Sequence, residues 1–314
     1  MSTETAAPPI PVAALTQDAQ IFEYSTAANP IESGATPRIP VKIFSADLYA
    51  SGPSRIIPLD LSADLRTPYP ATGPSLLANF LRIKAGEKLT TAPNASSEFI
   101  FVIRGRGRTE TPEGSIAWKA GDFVALPGLA AIHFADEDTA LYLVNDSPLF
   151  AYLGARKSKL RFHPTVYTRE AVMAELESAK NDPAASTRSR VSVLLANKRF
   201  EQTMTITHTL WTMFGIISPG TRQLPHRHQS VALDFVVDAQ PNVYTLLGPE
   251  LNEDGTIKDA IRVDWIKGSA FVTPPGYWHE HVNASDSDAY VMPIQDAGLH
   301  TYLRTLDIQF YKED

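Results

Sequence analysis

The chain has 314 residues, 44% of them hydrophobic and 20% charged, with a formal net charge of −7 and no cysteine. That mix suits a soluble globular protein with sizeable cores, and the length permits two domains of ordinary size. A net charge of −7 gives no general attraction for nucleic acid or an anionic membrane, both of which draw on clustered Lys and Arg, so neither is expected as a partner. Lacking cysteine, it has no disulfides and no cysteine-based zinc site, and a transition-metal site must draw on His, Asp or Glu. No apolar run is long enough to span a bilayer, and Met1 to Val12 lacks the basic start and apolar segment of an export signal, which makes the expected location cytoplasmic.

In chain order, residues 1–75 hold much of the proline, as in Ala7-Pro8-Pro9-Ile10-Pro11 and Pro68-Tyr69-Pro70. They are expected to form an extended arm with little helix, suited to packing on a neighbouring subunit in a homodimer or homotetramer. From Leu76 the texture changes to short β-rich runs broken by Gly and Pro, such as Phe99-Ile100-Phe101-Val102-Ile103, Leu141-Tyr142-Leu143-Val144 and Phe235-Val236-Val237. Many short strands at this spacing predict a sandwich or barrel. One helix is expected, Arg169 to Lys180, with Val172 and Leu176 on one stripe and Asn181-Asp182-Pro183 ending it. These elements divide the chain into an arm over 1–75, a first β unit over 76–165, a connector over 166–190 and a second β unit over 191–314.

The two β units are copies of each other. Gly86 to Gly105 aligns without a gap to Gly220 to Ala239, an offset of 134 (220 minus 86), so that Phe101-Val102 falls on Phe235-Val236. Further on, Trp118-Lys119-Ala120-Gly121 meets Trp265-Ile266-Lys267-Gly268 and Pro127 meets Pro274, an offset of 147 (265 minus 118). The difference of 13 (147 minus 134) is an insertion, placed between Gly248 and Asp259.

Of eight histidines, four stand in two pairs, His226-Arg227-His228 and His279-Glu280-His281. On a strand, residues i and i+2 project from one face, so such a pair can aim two imidazoles at one ion while a second strand supplies more ligands. At an offset of 134 the first copy has Ala92 and Asn94 in place of His226 and His228, and at 147 it has Ile132 in place of His279. Only Glu98 remains there, and His133, one place late, is expected on the other strand face. The first unit is therefore expected to be structural. His163, His208 and His300 have no such framing and are expected to be ordinary core or surface residues.

The frames around these pairs resemble the two cupin motifs. Gly220, five residues, then His226-x-His228 is similar to the first, and Gly268, five residues, Pro274-x-Gly276, two residues, His279, three residues, Asn283 to the second. The resemblance implies an all-β fold of double-stranded β-helices (jelly-roll barrels), two in tandem with an interdomain helix. It also implies a metal site built from His226, His228 and His279. The Glu that cupins usually add is missing, because Ala232 stands opposite Glu98.

Over roughly residues 76 to 310 the chain further resembles the gentisate 1,2-dioxygenase family with its salicylate-type relatives. The likeness rests on Pro225-His226-Arg227-His228-Gln229-Ser230-Val231-Ala232-Leu233-Asp234-Phe235-Val236-Val237 and on Trp278-His279-Glu280-His281-x-Asn283. It implies ring cleavage of a hydroxylated aromatic by dioxygen at Fe(II), in aromatic compound catabolism, with His281 contacting substrate or dioxygen. The ligand type alone also suits zinc, nickel, manganese or copper. Two departures bear on substrate: Asp234 stands where the family has a carboxylate-binding Arg, and many members keep the metal in the first barrel. Asp234 is then a catalytic or specificity residue suited to a hydroxyl, a cation or a carbonyl, and Arg222 and Arg227 are the remaining anchors for an acid. Tyr277 and Trp278 are the expected aromatic lining, while Phe271 and Phe235, candidates by position, are expected in the plain core. The competing readings are a Lewis-acid isomerase, decarboxylase or lyase, and a binding bicupin without turnover.

Overall fold

A computed structural model describes residues 10–185, 188 and 190–311. Ala7 to Pro9, and most of the stretch searched for an export signal, lie outside the described residues. The chain divides at Arg38. In residues 10–38 two single-turn helices, Val12–Leu15 and Tyr24–Ala27, bury no residue, and the second is capped by the Glu23 carboxylate, which accepts from the Ser25 and Thr26 amides. This segment has no core of its own.

The rest is built from four antiparallel sheets, two for each sequence copy. In the first copy a six-stranded sheet runs in the order 165–167, 123–126, 98–104, 139–145, 77–83, 55–58, facing a four-stranded sheet in the order 88–91, 131–135, 106–111, 114–119. In the second the six-stranded order is 43–44, 270–273, 232–238, 289–295, 211–217, 191–195, and the five-stranded order is 261–264, 243–248, 278–283, 221–227, 309–310. Each copy ends in a seven-residue helix, Ser147–Leu153 and Ala297–Leu303, with Asp146 and Asp296 at the N-caps.

The arm expected over 1–75 is thus shorter. Residues 39–75 are woven into both barrels: Ile43 pairs with Phe271 of the second, and Arg55–Pro58 pairs with 79–82 of the first. Both are edge strands, where Pro58 leaves no ladder donor missing. Between them Tyr49 is buried, packs its ring 4.6 Å from Phe80 and donates its hydroxyl to the Gly268 carbonyl at 2.8 Å. Proline density marks the edges of the barrels here, more than a free arm.

The helix forms over Arg169–Lys180, capped by Thr168, and buries Val172 and Leu176. It joins a core made by the facing six-stranded sheets, where Phe235 of the second barrel lies 4.9 Å from Tyr142, 5.5 Å from Phe101 and 6.4 Å from Phe80 of the first. Strand alternation sends Leu233 and Phe235 into this shared core and leaves Ala232, Asp234 and Val236 for the barrel interior. The interior of the first barrel is filled by aliphatics such as Leu81, Ile83, Ile100, Val102 and Leu141 around Trp118. The second barrel has the same filling only at one end, with Val236, Val243, Leu247, Val291 and Trp265. Its other end is polar.

Candidate metal centre

At that polar end four buried imidazoles converge. His226 pairs with His279 across the strands Thr221–Arg227 and Trp278–Asn283, and Gln223 pairs with His281. The ring centroids of His226 and His279 are 4.0 Å apart, those of His228 and His279 5.0 Å, and those of His279 and His281 5.9 Å. Donor nitrogens of His226, His279 and His281 all lie within 4.8 Å of one another. The geometry groups His281 with two of the three expected ligands, and His228 stands beside them with its ring 6.4 Å from that of His226.

Each Nδ1 is already engaged. That of His226 faces the Leu224 carbonyl at 3.2 Å, that of His279 the Tyr277 carbonyl at 3.0 Å, and that of His228 the Ser230 carbonyl at 2.9 Å. For His281 the partner is the Thr245 hydroxyl at 2.8 Å, which also accepts from Trp265 Nε1 at 2.8 Å. A carbonyl accepts Nδ1–H, so at least three rings keep their Nε2 lone pairs free, the tautomer a metal ligand needs. Burial holds all four well below the usual histidine range, His228 at about 4, with the neighbouring imidazoles adding to the effect for the other three. At neutral pH the cluster is uncharged, which is the ligating state. Neutral nitrogen donors converging without protein acceptors fit a borderline transition metal.

The first barrel supplies an internal control. There His133 Nδ1 meets the Thr109 hydroxyl at 2.9 Å, and the same hydroxyl accepts from Trp118 Nε1 at 2.9 Å. This is the Trp265–Thr245–His281 arrangement repeated, so His133 corresponds to His281 at an offset of 148 (281 minus 133). It is fully buried in the interior, which corrects the expectation that it faces the other way. Two single-residue shifts explain the error. The Pro127-Gly128 turn matches Pro275-Gly276, both glycines having positive φ (61° and 77°), and the ladder shifts register between Gln223 and His226. The residues that pair as His226 and His279 do are Thr91 and Ala131, where Ala92 and Ile132 are expected. The Thr91 hydroxyl sits 3.0 Å from His133 Nε2, so both nitrogens of that ring are taken. In the second barrel an imidazole replaces that hydroxyl.

Beside the histidines lies a cavity of about 220 Å³, lined by Gln223, Asp234, Trp211, Gln295, Phe310 and Arg190 among others. Arg190 carries the signal that sequence reading missed. The residue as a whole is partly exposed, but its Nε and Nη2 are buried and lack partners among the described residues, and Nη1 reaches only Met213 Sδ at 3.3 Å. Burial pushes the guanidinium down to about 10, so it stays charged at neutral pH. An unpaired buried cation is costly to retain without a function. Asp234 lines the same cavity, accepts from Thr273 Oγ1 at 2.7 Å, and is raised to about 6 by burial, against the opposing pull of that bond and of Arg190.

The other sequence candidates do not line the cavity. Alternation that turns Gln223 and His226 inward turns Arg222 outward, where its Nη1 is 3.8 Å from Glu280. Arg227, between two inward histidines, donates from Nε and Nη2 to Gln309 Oε1 and lies 5.0 Å from the Trp278 ring. Tyr277 packs on the apolar end of the barrel, and Phe235 and Phe271 are core. The aromatic walls are instead Trp211 and Phe310, the latter stacked at 5.8 Å on His226.

No protein-family model matches the chain. It is similar to gentisate 1,2-dioxygenase 1 of Aquipseudomonas alcaligenes, at 30% identity over 158 residues, which is 50% of this chain and 42% of that protein. It is also similar to 1-hydroxy-2-naphthoate 1,2-dioxygenase of Nocardioides sp. (strain KP7), at 29% identity over 106 residues, 34% of this chain and 24% of that protein. The chain thus matches less than half the length of these curated relatives. Among solved structures, salicylate 1,2-dioxygenase from Pseudoaminobacter salicylatoxidans, as its gentisate adduct, superposes with a TM-score of 0.71 at 13% identity over 100% of this chain and 98% of that one. A deletion mutant of Bacillus subtilis oxalate decarboxylase gives 0.53 at 14% identity over 80% and 76%. The chain is a bicupin with the fold of salicylate 1,2-dioxygenase, and over half its length it is similar in sequence to gentisate 1,2-dioxygenase.

Proposed function

We propose that the protein is a metal-dependent dioxygenase that cleaves the ring of a single-ring hydroxylated aromatic acid, of the gentisate or salicylate kind. The observation that carries this reading is the convergence of neutral imidazoles beside a buried, unpaired guanidinium in one small cavity. A bound ion, Fe(II) by analogy with the family, supplies Lewis acidity and a place for dioxygen. His226, His228 and His279 hold it. His281 is the neighbouring group held by Thr245 and Trp265, a unit that also stands in the barrel lacking the other histidines.

The remaining residues orient the substrate. Arg190 binds its carboxylate, a pairing worth more in a buried site than in water. Asp234, near the neutral range at about 6, exchanges a hydrogen bond with a ring hydroxyl. The volume of about 220 Å³ exceeds the ~150 Å³ that encloses benzene, which suits one substituted ring. Trp211 and Phe310 exclude water from its faces.

Substituting each histidine separates the ligands from the neighbour. His228→Ala is expected to lose bound metal, as His226→Ala and His279→Ala do. His281→Ala keeps the metal and loses dioxygen uptake. Metal loss in His281→Ala with retention in His228→Ala reverses the assignment.

No helix among the described residues is long and apolar enough to cross a membrane. The segment 10–38, which carries apolar side chains without a core, supports assembly into a homodimer or homotetramer.

A further inference from the structure

A second cavity, of about 770 Å³ against about 220 Å³ at the histidines, opens beside the Ser147–Leu153 helix. Arg156, Lys157, Lys159, Arg161, Lys198 and Arg199 line it, against a single carboxylate, Glu201. Six cations less one anion give the lining an excess of five positive charges in a chain whose net charge is −7. Among the described residues none of the six makes an ion pair or a side-chain hydrogen bond. Cations elsewhere on the surface do pair, as Arg106 does with Glu137, Lys258 with Glu250 and Arg262 with Asp264.

An ordinary solvated face intersperses both signs of charge. Here like charges from two separate segments, 156–161 and 198–199, are brought to one concavity, where low-dielectric walls focus their field. Asp146, the carboxylate beneath the floor, has both oxygens occupied within the protein, accepting from the amides of Ser96 and Ser97 and the hydroxyls of Ser96 and Thr209. Phe150, Phe200 and Tyr302 add ring surface to the walls.

We propose that this cavity binds a polyanionic organic phosphate with an aromatic head group, of the size and charge of a nucleoside di- or triphosphate. A monocarboxylate neutralises one of the five excess charges and leaves most of the volume empty. A terminal phosphate brings about −1.5 to −2 charges and three acceptor oxygens that match Arg and Lys donors, and each internal phosphate adds about one more charge, while the rings offer stacking to a base. The site is separate from the histidine cavity, so its failure leaves the dioxygenase reading untouched.

The test is calorimetric titration of the full-length protein at 0.15 M salt, where weak surface attraction is screened. The ligands are ATP, inorganic tripolyphosphate, adenosine and a short single-stranded RNA. ATP is expected to bind saturably at one site per chain, tripolyphosphate more weakly, and adenosine not measurably. The double variant Lys198→Glu/Arg199→Glu, on an exposed turn, and Lys159→Glu, on the other wall, each weaken ATP by on the order of tenfold or more. Lys258→Glu, which breaks a surface ion pair elsewhere, leaves ATP binding unchanged. Absence of saturable ATP binding, or equal affinity in these cavity variants, overturns the proposal. So does RNA binding that ATP does not displace, which would make the face a nucleic-acid contact.

Discussion

Arg190→Met is expected to make the protein more stable and to silence it. A guanidinium pushed down to about 10 by burial, with two nitrogens unpartnered, costs on the order of 3 kcal/mol relative to the solvated group. Methionine fills similar volume without charge, and replacing buried charge by apolar groups commonly gains about 1–4 kcal/mol. Thermal unfolding should therefore move up by several degrees. Turnover moves the other way. If Arg190 holds the substrate carboxylate, kcat/KM on gentisate or salicylate should fall by roughly 10²–10³, the size of a lost buried charge pair. An analogue lacking the carboxylate should be nearly indifferent to the change. A variant that is less stable, or that loses both substrates equally, makes Arg190 a structural residue.

Glu98→Gln should likewise stabilise the fold, through the first barrel. Among the described residues both carboxylate oxygens of Glu98 are buried without partners, and burial pushes the group up to about 8, with Lys157 opposing and Asp146 adding to the rise. The folded state therefore keeps a proton that the unfolded chain releases near pH 4.5. The contribution of Glu98 to wild-type stability is full below that pH and is lost as pH rises toward about 8. At pH 7 the loss is on the order of 3 kcal/mol. Glutamine has the same shape and does not ionise. Urea unfolding of the variant should match wild type near pH 4.5 and exceed it at pH 7 and above. Parallel pH profiles for the two proteins would show that Glu98 finds a partner or water in solution.

Much of this was legible in the sequence because period-two alternation and a gapless repeat are strong local signals. His226-x-His228 and His279-x-His281 on one strand face, and the Trp118 and Trp265 frames, located the second barrel's polar end. The limits were of two kinds. A one-residue change in a turn or ladder inverts which face a side chain takes, and that hid the correspondence of His133 with His281 and of Thr91 with His226. Residues joined only by the fold left no pattern at all. Arg190 stands at the end of the segment expected as a connector, and it reaches the histidines because strand 191–195 pairs with strand 211–217. The same alternation, applied to Arg227 between two inward histidines and to Trp278 beside His279, would have excluded both as lining. Residues 39–75 misled for a related reason, since proline suits an edge strand as well as a free arm.

The central claim is tested most directly by reconstituting the protein with Fe(II) under anaerobic conditions and supplying ¹⁸O₂ with a hydroxylated aromatic acid. Incorporation of both labelled atoms into a ring-opened product, one dioxygen per substrate, abolished in His226→Ala, is the predicted result. A metal-loaded protein that consumes no dioxygen with any such acid, yet transforms one of them, would contradict it and make the ion a Lewis acid alone.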